Sequence, residues 1–200
     1  MSLVLASSSP RRAELLQQVG ISFTIVEPQI SEEMAVSENP AEMVVVLAQN
    51  KALDVTRRLT SGFVLAADTV VICRDQVLGK PDDQSDARRM LGILSGSEHV
   101  VFTGLALHDV TTGNCQTGLS KTKVWMKPLK KDHIDRYVAG GEPMDKAGAY
   151  GIQGQGALFI EKIEGCYFNV VGLPLGLLFE LLMRMQVPTW LSRKDGGNGE

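Results

Sequence analysis

Leu3–Val4–Leu5–Ala6–Ser7–Ser8–Ser9–Pro10–Arg11–Arg12 is the stretch on which the fold turns. Its first four residues are a short apolar run and predict a buried strand. Ser9 is placed to cap a helix, and Pro10 suits the first helical position, where the missing N–H costs nothing. Leu15, Leu16 and Val19 then recur at helical spacing, and Gly20 marks the end. A strand running directly into a helix start aims unpaired backbone N–H groups and the positive end of the helix dipole at one point. Three hydroxyls and two guanidinium groups add donors that suit a phosphate chain. A capped surface helix would need one serine and the proline. The surplus favours phosphate binding.

Outward from this start, strands and helices intermingle. Residues 23–26 read as a strand leading into the acidic loop Ser31–Glu32–Glu33. Asn39–Pro40–Ala41–Glu42 combines a capping residue, a first-turn proline and a glutamate, and predicts a helix to about residue 59. Residues 64–68 and 69–73 are strand material that Arg74–Asp75–Gln76 turns back. Asp83 or Ser85 caps a helix ending at Ser95–Gly96. Residues 99–107 and 122–126 read as antiparallel strands, with a helix from Asp132. The spacing after it predicts a loop over 142–156, strands at 157–163 and 167–171, and a final helix beyond Pro174. Crossover and hairpin spacings together mean a mixed-sheet α/β fold of two lobes with a central cleft. Residues 1–190 are expected to form one domain, and 191–200, polar and glycine-rich, a disordered tail.

With 200 residues, 44% of them hydrophobic, the chain can bury a core without staples. Its net charge of -3 gives no general reason to bind nucleic acid or an anionic membrane, and neither partner is expected. Any anionic ligand must meet a local cluster of bases. Cys73, Cys115 and Cys166 stand far apart with no Cys-x-x-Cys pair, which suggests neither a disulfide framework nor a zinc site and fits buried free thiols in a reducing compartment. Leu3–Ala6 is too short for a signal peptide, and the apolar run 173–185 is too short to span a bilayer. A cytosolic protein is expected.

Asp68 and Thr69 end an apolar strand, where ligands of α/β sheets gather. A carboxylate there can bind a metal or act as a general base. Lys80 follows Gly79 and precedes Pro81, in a turn whose backbone can approach a ligand. Lys51 and Glu32 are unremarkable alone. Glycines 148, 151, 154 and 156 superficially suggest a dinucleotide fingerprint, but residues 157–160 read as a strand where that motif needs a helix. The segment instead resembles a backbone-rich wall, with Tyr150 and Gln153 able to stack on or bond to a base. The three histidines do not cluster, so a structural role outweighs a metal role.

Taken in order, these segments resemble the Maf family of nucleoside triphosphate pyrophosphatases. The motifs are Leu5-Ala-Ser-x-Ser-Pro-Arg-Arg12, the Glu32 loop, Lys51, Ala67-Asp-Thr69, Gly79-Lys-Pro81, Met90-Leu-x-x-Leu-Ser-Gly96, the 142–154 segment and Val170-Val-Gly-Leu-Pro174. The resemblance implies a fold similar to inosine triphosphate pyrophosphatases. It implies hydrolysis of a nucleoside triphosphate to the monophosphate and pyrophosphate, with magnesium, manganese or cobalt. By the same resemblance Asp68 is the proton acceptor, and Ser7, Ser9, Arg12, Lys51 and Lys80 hold the phosphates. Glu32 positions the metal or the water. Arg12, Thr69 and Gln153 match the branch acting on dTTP and UTP, whereas the 7-methyl-GTP branch carries Asp-Gln in place of Asp68–Thr69. A glutamine carboxamide can pair with the N3–H and O4 edge shared by uracil and thymine. The implied roles are cleansing of the nucleotide pool and arrest of cell division, with a homodimer expected. The competing readings are the same hydrolysis on 7-methyl-GTP or inosine nucleotides, and a regulator that binds nucleotide without turnover.

Overall fold

The computed structural model describes residues 2–30 and 39–190; Glu32 and residues 191–200, on which two of the expectations fall, lie outside the described residues. Strand β1 (Leu3–Ala6) is buried along its whole length. Leu3 and Leu5 enter one apolar cluster and Val4 and Ala6 another, so the strand is sandwiched between helices on both faces. Helix α1 (Pro10–Gln18) packs Leu15 and Leu16 on the first face. Strand β2 (Phe23–Ile25) returns parallel to β1, and helix α2 (Pro40–Thr56) crosses the second face. Asn39 caps α2 by accepting from the Ala41 N–H, as the Asn-Pro-Ala-Glu pattern predicts.

Strand β3 (Phe63–Cys73) is the spine, a single strand of 11 residues in place of two shorter ones. Its first half runs parallel to β1, and its last three residues pair with β4 (Gln76–Leu78). On its other side it pairs antiparallel with β5 (Glu98–Asp109), which pairs with β6 (Cys115–Met126), and β7 (Ile160–Glu164) closes that end. The seven-stranded mixed sheet has the order β2-β1-β3-β5-β6-β7, with β4 beside β3. Helices α3 (Gln84–Leu94) and α4 (Lys131–Ala139) build a second core against Val71, Cys73, Val101 and Val124. The two lobes thus share β3, β5 and β6. Among the described residues, no helix is long and apolar enough to cross a membrane.

Three expectations are corrected. Residues 167–171 form helix α5 (Tyr167–Val171), not a strand, despite two valines. Asn169 is fully buried and its amide donates to the Val101 carbonyl and to Thr122, which pins this segment across the sheet face instead of into it. Residues 154–159 form a 3-10 turn, and β7 starts only at Ile160. Strand β6 extends back to Cys115 through polar residues whose strand character comes from pairing with β5. Helix α6 (Leu175–Arg184) follows Pro174 as the sequence predicts.

Two core positions control the packing. Gly104 lies opposite Asp68 in the β3–β5 ladder, and a Cβ there would collide with the backbone of Val44 and Val45 on α2. Only glycine lets this helix settle on the sheet. Gly104→Ala should cost about 1–3 kcal/mol, the range for overpacking, seen as a lower urea midpoint at unchanged slope.

His99 is buried and contacts the Tyr150 hydroxyl at 2.7 Å, edge-on to its ring. Burial pulls its pKa down to about 4 from the usual 6.5. Below pH 6.5 the unfolded chain gains a proton that the folded one refuses at His99, so this residue's contribution to stability falls as pH drops from about 6.5 to about 4 and is constant below that. The shift corresponds to about 3 kcal/mol. Urea titrations between pH 7.5 and 4.5 should show a shallower loss for His99→Gln than for the parent chain.

Candidate active site

Strand β1 pairs with β3 as far as Ala6 and Ala66, and β4 takes up the same edge only at Val71. Between them, residues 67–70 have no strand on that side. The chain leaving β1 turns away there because Ser7–Ser8–Ser9–Pro10 starts a helix and Pro10 has no N–H for a ladder. A cleft of about 450 Å3 opens at this gap. It is lined by Ser7, Ser9, Arg12, Lys51, Asp68, Thr69, Lys80 and Gln153, all of the candidate residues except Glu32.

Because side chains alternate along a strand, Asp68 and Thr69 leave β3 on opposite faces. Asp68 turns to α2, where Lys51 Nζ contacts its Oδ1 at 2.5 Å, and both side chains are largely shielded from solvent. Lys51 projects from the helix face that also carries Leu47, Ala48 and Val55, so its stem is packed in apolar surroundings. No described residue bonds Oδ2 of Asp68. Thr69 turns to the α1 face, where the Arg12 guanidinium donates to Thr69 Oγ1 (3.2 Å), Ser7 Oγ (3.1 Å) and the Gly172 carbonyl (2.9 Å). Ser9 stands at the helix start, but its side chain caps nothing; its N–H donates to Ser7 Oγ.

Arg11, one of the two guanidinium groups read at the helix start, also lines the cleft, with Asp145 and Lys146, to which the sequence gave no individual role. Arg11 reaches from α1 to the Asp145 carboxylate, and Lys146 holds the same carboxylate from the other side. These contacts keep the Asp145 carboxyl below its usual range against the opposing effect of burial. Counting them, five basic side chains and two carboxylates line the cleft among the described residues, in a chain whose net charge is -3.

The far wall is the glycine segment. The Glu142 carboxylate accepts from the Tyr137 hydroxyl and from the N–H groups of Gln155 and Gly156, while the Gly151 N–H donates to Tyr137 Oη. Gly154 has φ +67° and faces the same carboxylate so closely that a side chain would displace it. This frame leaves Gln153 half-buried at the cleft, with no described residue bonded to its carboxamide. Tyr150 corrects the expectation of a stacking platform. Its ring is 5% exposed and its hydroxyl is engaged by His99, with burial pushing its pKa far up. The only sequence signal for the Glu142 frame was its place in the quoted 142–154 run.

Three groups of contacts, a lysine–aspartate floor, a cationic wall and a glycine-framed rim, define a site for a polyanionic ligand with a polar group at one end. The chain belongs to the Maf family, matching the family described as Maf-like protein over residues 2–185. The dTTP/UTP pyrophosphatase of Acetivibrio thermocellus is 51% identical over 189 residues, covering 91% of this chain and 94% of its own. That of Moorella thermoacetica is 50% identical over 188 residues (94% and 97%), and that of Carboxydothermus hydrogenoformans 48% over 182 (91% and 97%). A solved nucleoside-triphosphatase / dITP/XTP pyrophosphatase from Mycobacterium abscessus overlaps 63% of this chain and 73% of its own, at TM-score 0.39 and 13% identity, too slight a likeness to argue from.

Glu142→Ala removes three hydrogen bonds from the rim at once. Amide hydrogen exchange across 151–156 should accelerate by tenfold or more, while amides of β3 and β5 keep their protection. Uniform acceleration throughout the chain would mean that Glu142 supports the whole fold and not the rim.

Proposed function

We propose that this chain hydrolyses dTTP and UTP to the nucleoside monophosphate and pyrophosphate, in the reducing interior of the cell, where its three free thiols are stable. The observation that carries the reading is the concentration of Arg11, Arg12, Lys51, Lys80 and Lys146 around Asp68, in a cleft large enough for a nucleotide. A triphosphate carries close to four negative charges, and cleavage requires them to be neutralised while a base orients the nucleophile. Relatives at about half identity over nearly the full chain carry this activity in their names.

In this reading Lys51 and Lys80 bind the phosphate oxygens, with Ser7, Ser9 and Arg12 at the helix start. Asp68 takes the proton from a water whose oxygen attacks phosphorus at the α–β anhydride, and the bridging oxygen leaves with pyrophosphate. Lys51 on Oδ1 holds the carboxylate so that Oδ2 meets the water. The Gln153 carboxamide accepts from N3–H and donates to O4 of uracil or thymine.

No group of three metal-ligating side chains converges among the described residues. A hard divalent cation that takes most of its ligands from phosphate oxygens and water needs only one or two carboxylates. Asp68 meets that requirement from within the cleft, and Glu32 would supply the second carboxylate. Magnesium, manganese or cobalt held there would neutralise charge on the triphosphate.

Pyrophosphate release from dTTP, UTP, CTP, GTP, ITP and 7-methyl-GTP, with each of the three metals, tests the reading. The parent chain should favour dTTP and UTP. Asp68→Asn should lose turnover by about 100-fold or more with nucleotide still bound. Gln153→Ala should lose about tenfold to a few hundredfold on dTTP and UTP and much less on the others. A parent chain most active on a purine nucleotide, or an Asp68→Asn variant near full activity, would overturn the assignment.

A further inference from the structure

The hydrogen bonds around Arg12 fix the direction of the Thr69 hydroxyl, and the residue that sets it lies outside the cleft. A threonine hydroxyl has one hydrogen to give and two lone pairs to receive. Arg12 can only donate, so it occupies one lone pair of Thr69 Oγ1. The other hydrogen-bond neighbour of Thr69 is Thr103 Oγ1, at 2.9 Å across the β3–β5 ladder. Either oxygen could donate in that pair.

Thr103 is fully buried, and its hydroxyl lies 3.1 Å from the carbonyl of Asn169 in α5. That carbonyl belongs to the last turn of a short helix, where carbonyls lack intrahelical donors. The N–H groups of Gly172 and Leu173, which could have reached it, both go to the Phe168 carbonyl instead. A buried carbonyl left without a donor costs about 1–3 kcal/mol, so the Thr103 hydrogen goes there. Thr69 must therefore donate to Thr103. With its hydrogen spent and one lone pair taken by Arg12, Thr69 has only an acceptor to offer to the cleft.

Ser7 shows the opposite polarity by the same count. Its oxygen accepts from both the Ser9 N–H and Arg12, which leaves its hydrogen for a ligand. Arg12 thus sets a donor at Ser7, suited to a phosphate oxygen. It helps to set an acceptor at Thr69, suited to an N–H or O–H of the nucleoside.

We propose that Thr103 is a positioning residue for specificity: it holds Thr69 as an acceptor, so that the site selects a nucleoside presenting a hydrogen-bond donor at that point. The inference rests on the pyrimidine nucleotide reading above. UTP and dTTP share two donors, the 3′-hydroxyl of the sugar and the N3–H of the base, and Thr69 would take the second only in place of Gln153. Cytosine lacks the N3–H, and a dideoxynucleotide lacks the 3′-hydroxyl.

The experiment compares kcat/KM for UTP against CTP, and for dTTP against its 2′,3′-dideoxy analogue, in the parent chain and in Thr103→Val, Thr103→Ala and Thr103→Ser. Without the Thr103 hydroxyl, Thr69 can turn its own hydrogen into the cleft. At least one of the two preference ratios should then fall by about tenfold, the effect of one hydrogen bond. Thr103→Ser keeps the relay and should keep both ratios. Thr103→Ala gives the same readout should the valine variant fail to fold, since it adds no methyl against the Asn169 carbonyl. A collapse of the first ratio assigns the base, and a collapse of the second assigns the sugar. Equal losses on every substrate, or unchanged ratios in both the alanine and valine variants, would overturn the proposal. A parent chain inactive on both UTP and dTTP would instead overturn the reading beneath it.

Discussion

β3 changes edge partner in mid-strand, from β1 at Ala66 to β4 at Val71, and the cleft exists because of that change. Backbone groups at 67–70 have no neighbouring strand on this side, while the opposite edge stays paired to β5 throughout. The strand is therefore rigid where it carries its functional side chains and open where a ligand can approach. Alternation along the strand then sends Asp68 to one face and Thr69 to the other. A site at a sheet edge can use both faces of one strand, which a site on the surface of a sheet cannot.

Each face has its own support. On the α2 face, Gly104 removes the one side chain that would hold the helix off the sheet, and Lys51 comes down onto Asp68. A buried lysine costs free energy unless it is paired, so this contact is sensitive to the height of the helix. On the α1 face, Arg12 joins Ser7, Thr69 and Gly172, tying β1, β3 and the end of α5 to one planar cation. Arginine suits this place because its donors are fixed in direction. The hydroxyl relay through Thr103 to Asn169 extends the order of that face into the core.

The rim is a different kind of structure. It contains little regular secondary structure and takes its shape from Glu142, whose carboxylate gathers backbone N–H groups that no strand or helix would satisfy. Arg11 and Lys146 join the rim to α1 through Asp145. These partly exposed contacts are weak individually.

Local chemistry determined much of this in the sequence. Pro10, Pro40 and Asp83 stand at helix starts that the sequence marks, because a missing N–H or a capping oxygen acts within one turn. Apolar runs marked β1 and β3, and the order of motifs pointed to a Maf-like site in which the described candidate residues do share one cleft. What the tertiary structure alone decided depends on partners distant in the chain. Residues 167–171 look like a strand and become a helix because Asn169 finds Val101 and Thr122. Tyr150 looks like a platform for a base and is instead locked to His99, 51 residues away. Thr103 gave no sign in the sequence at all, since an alternating strand position acquires meaning only from the residue across the ladder and the carbonyl beyond it. Sequence carries the chemistry of single groups; which way a hydroxyl points is settled by neighbours that only the folded chain brings together.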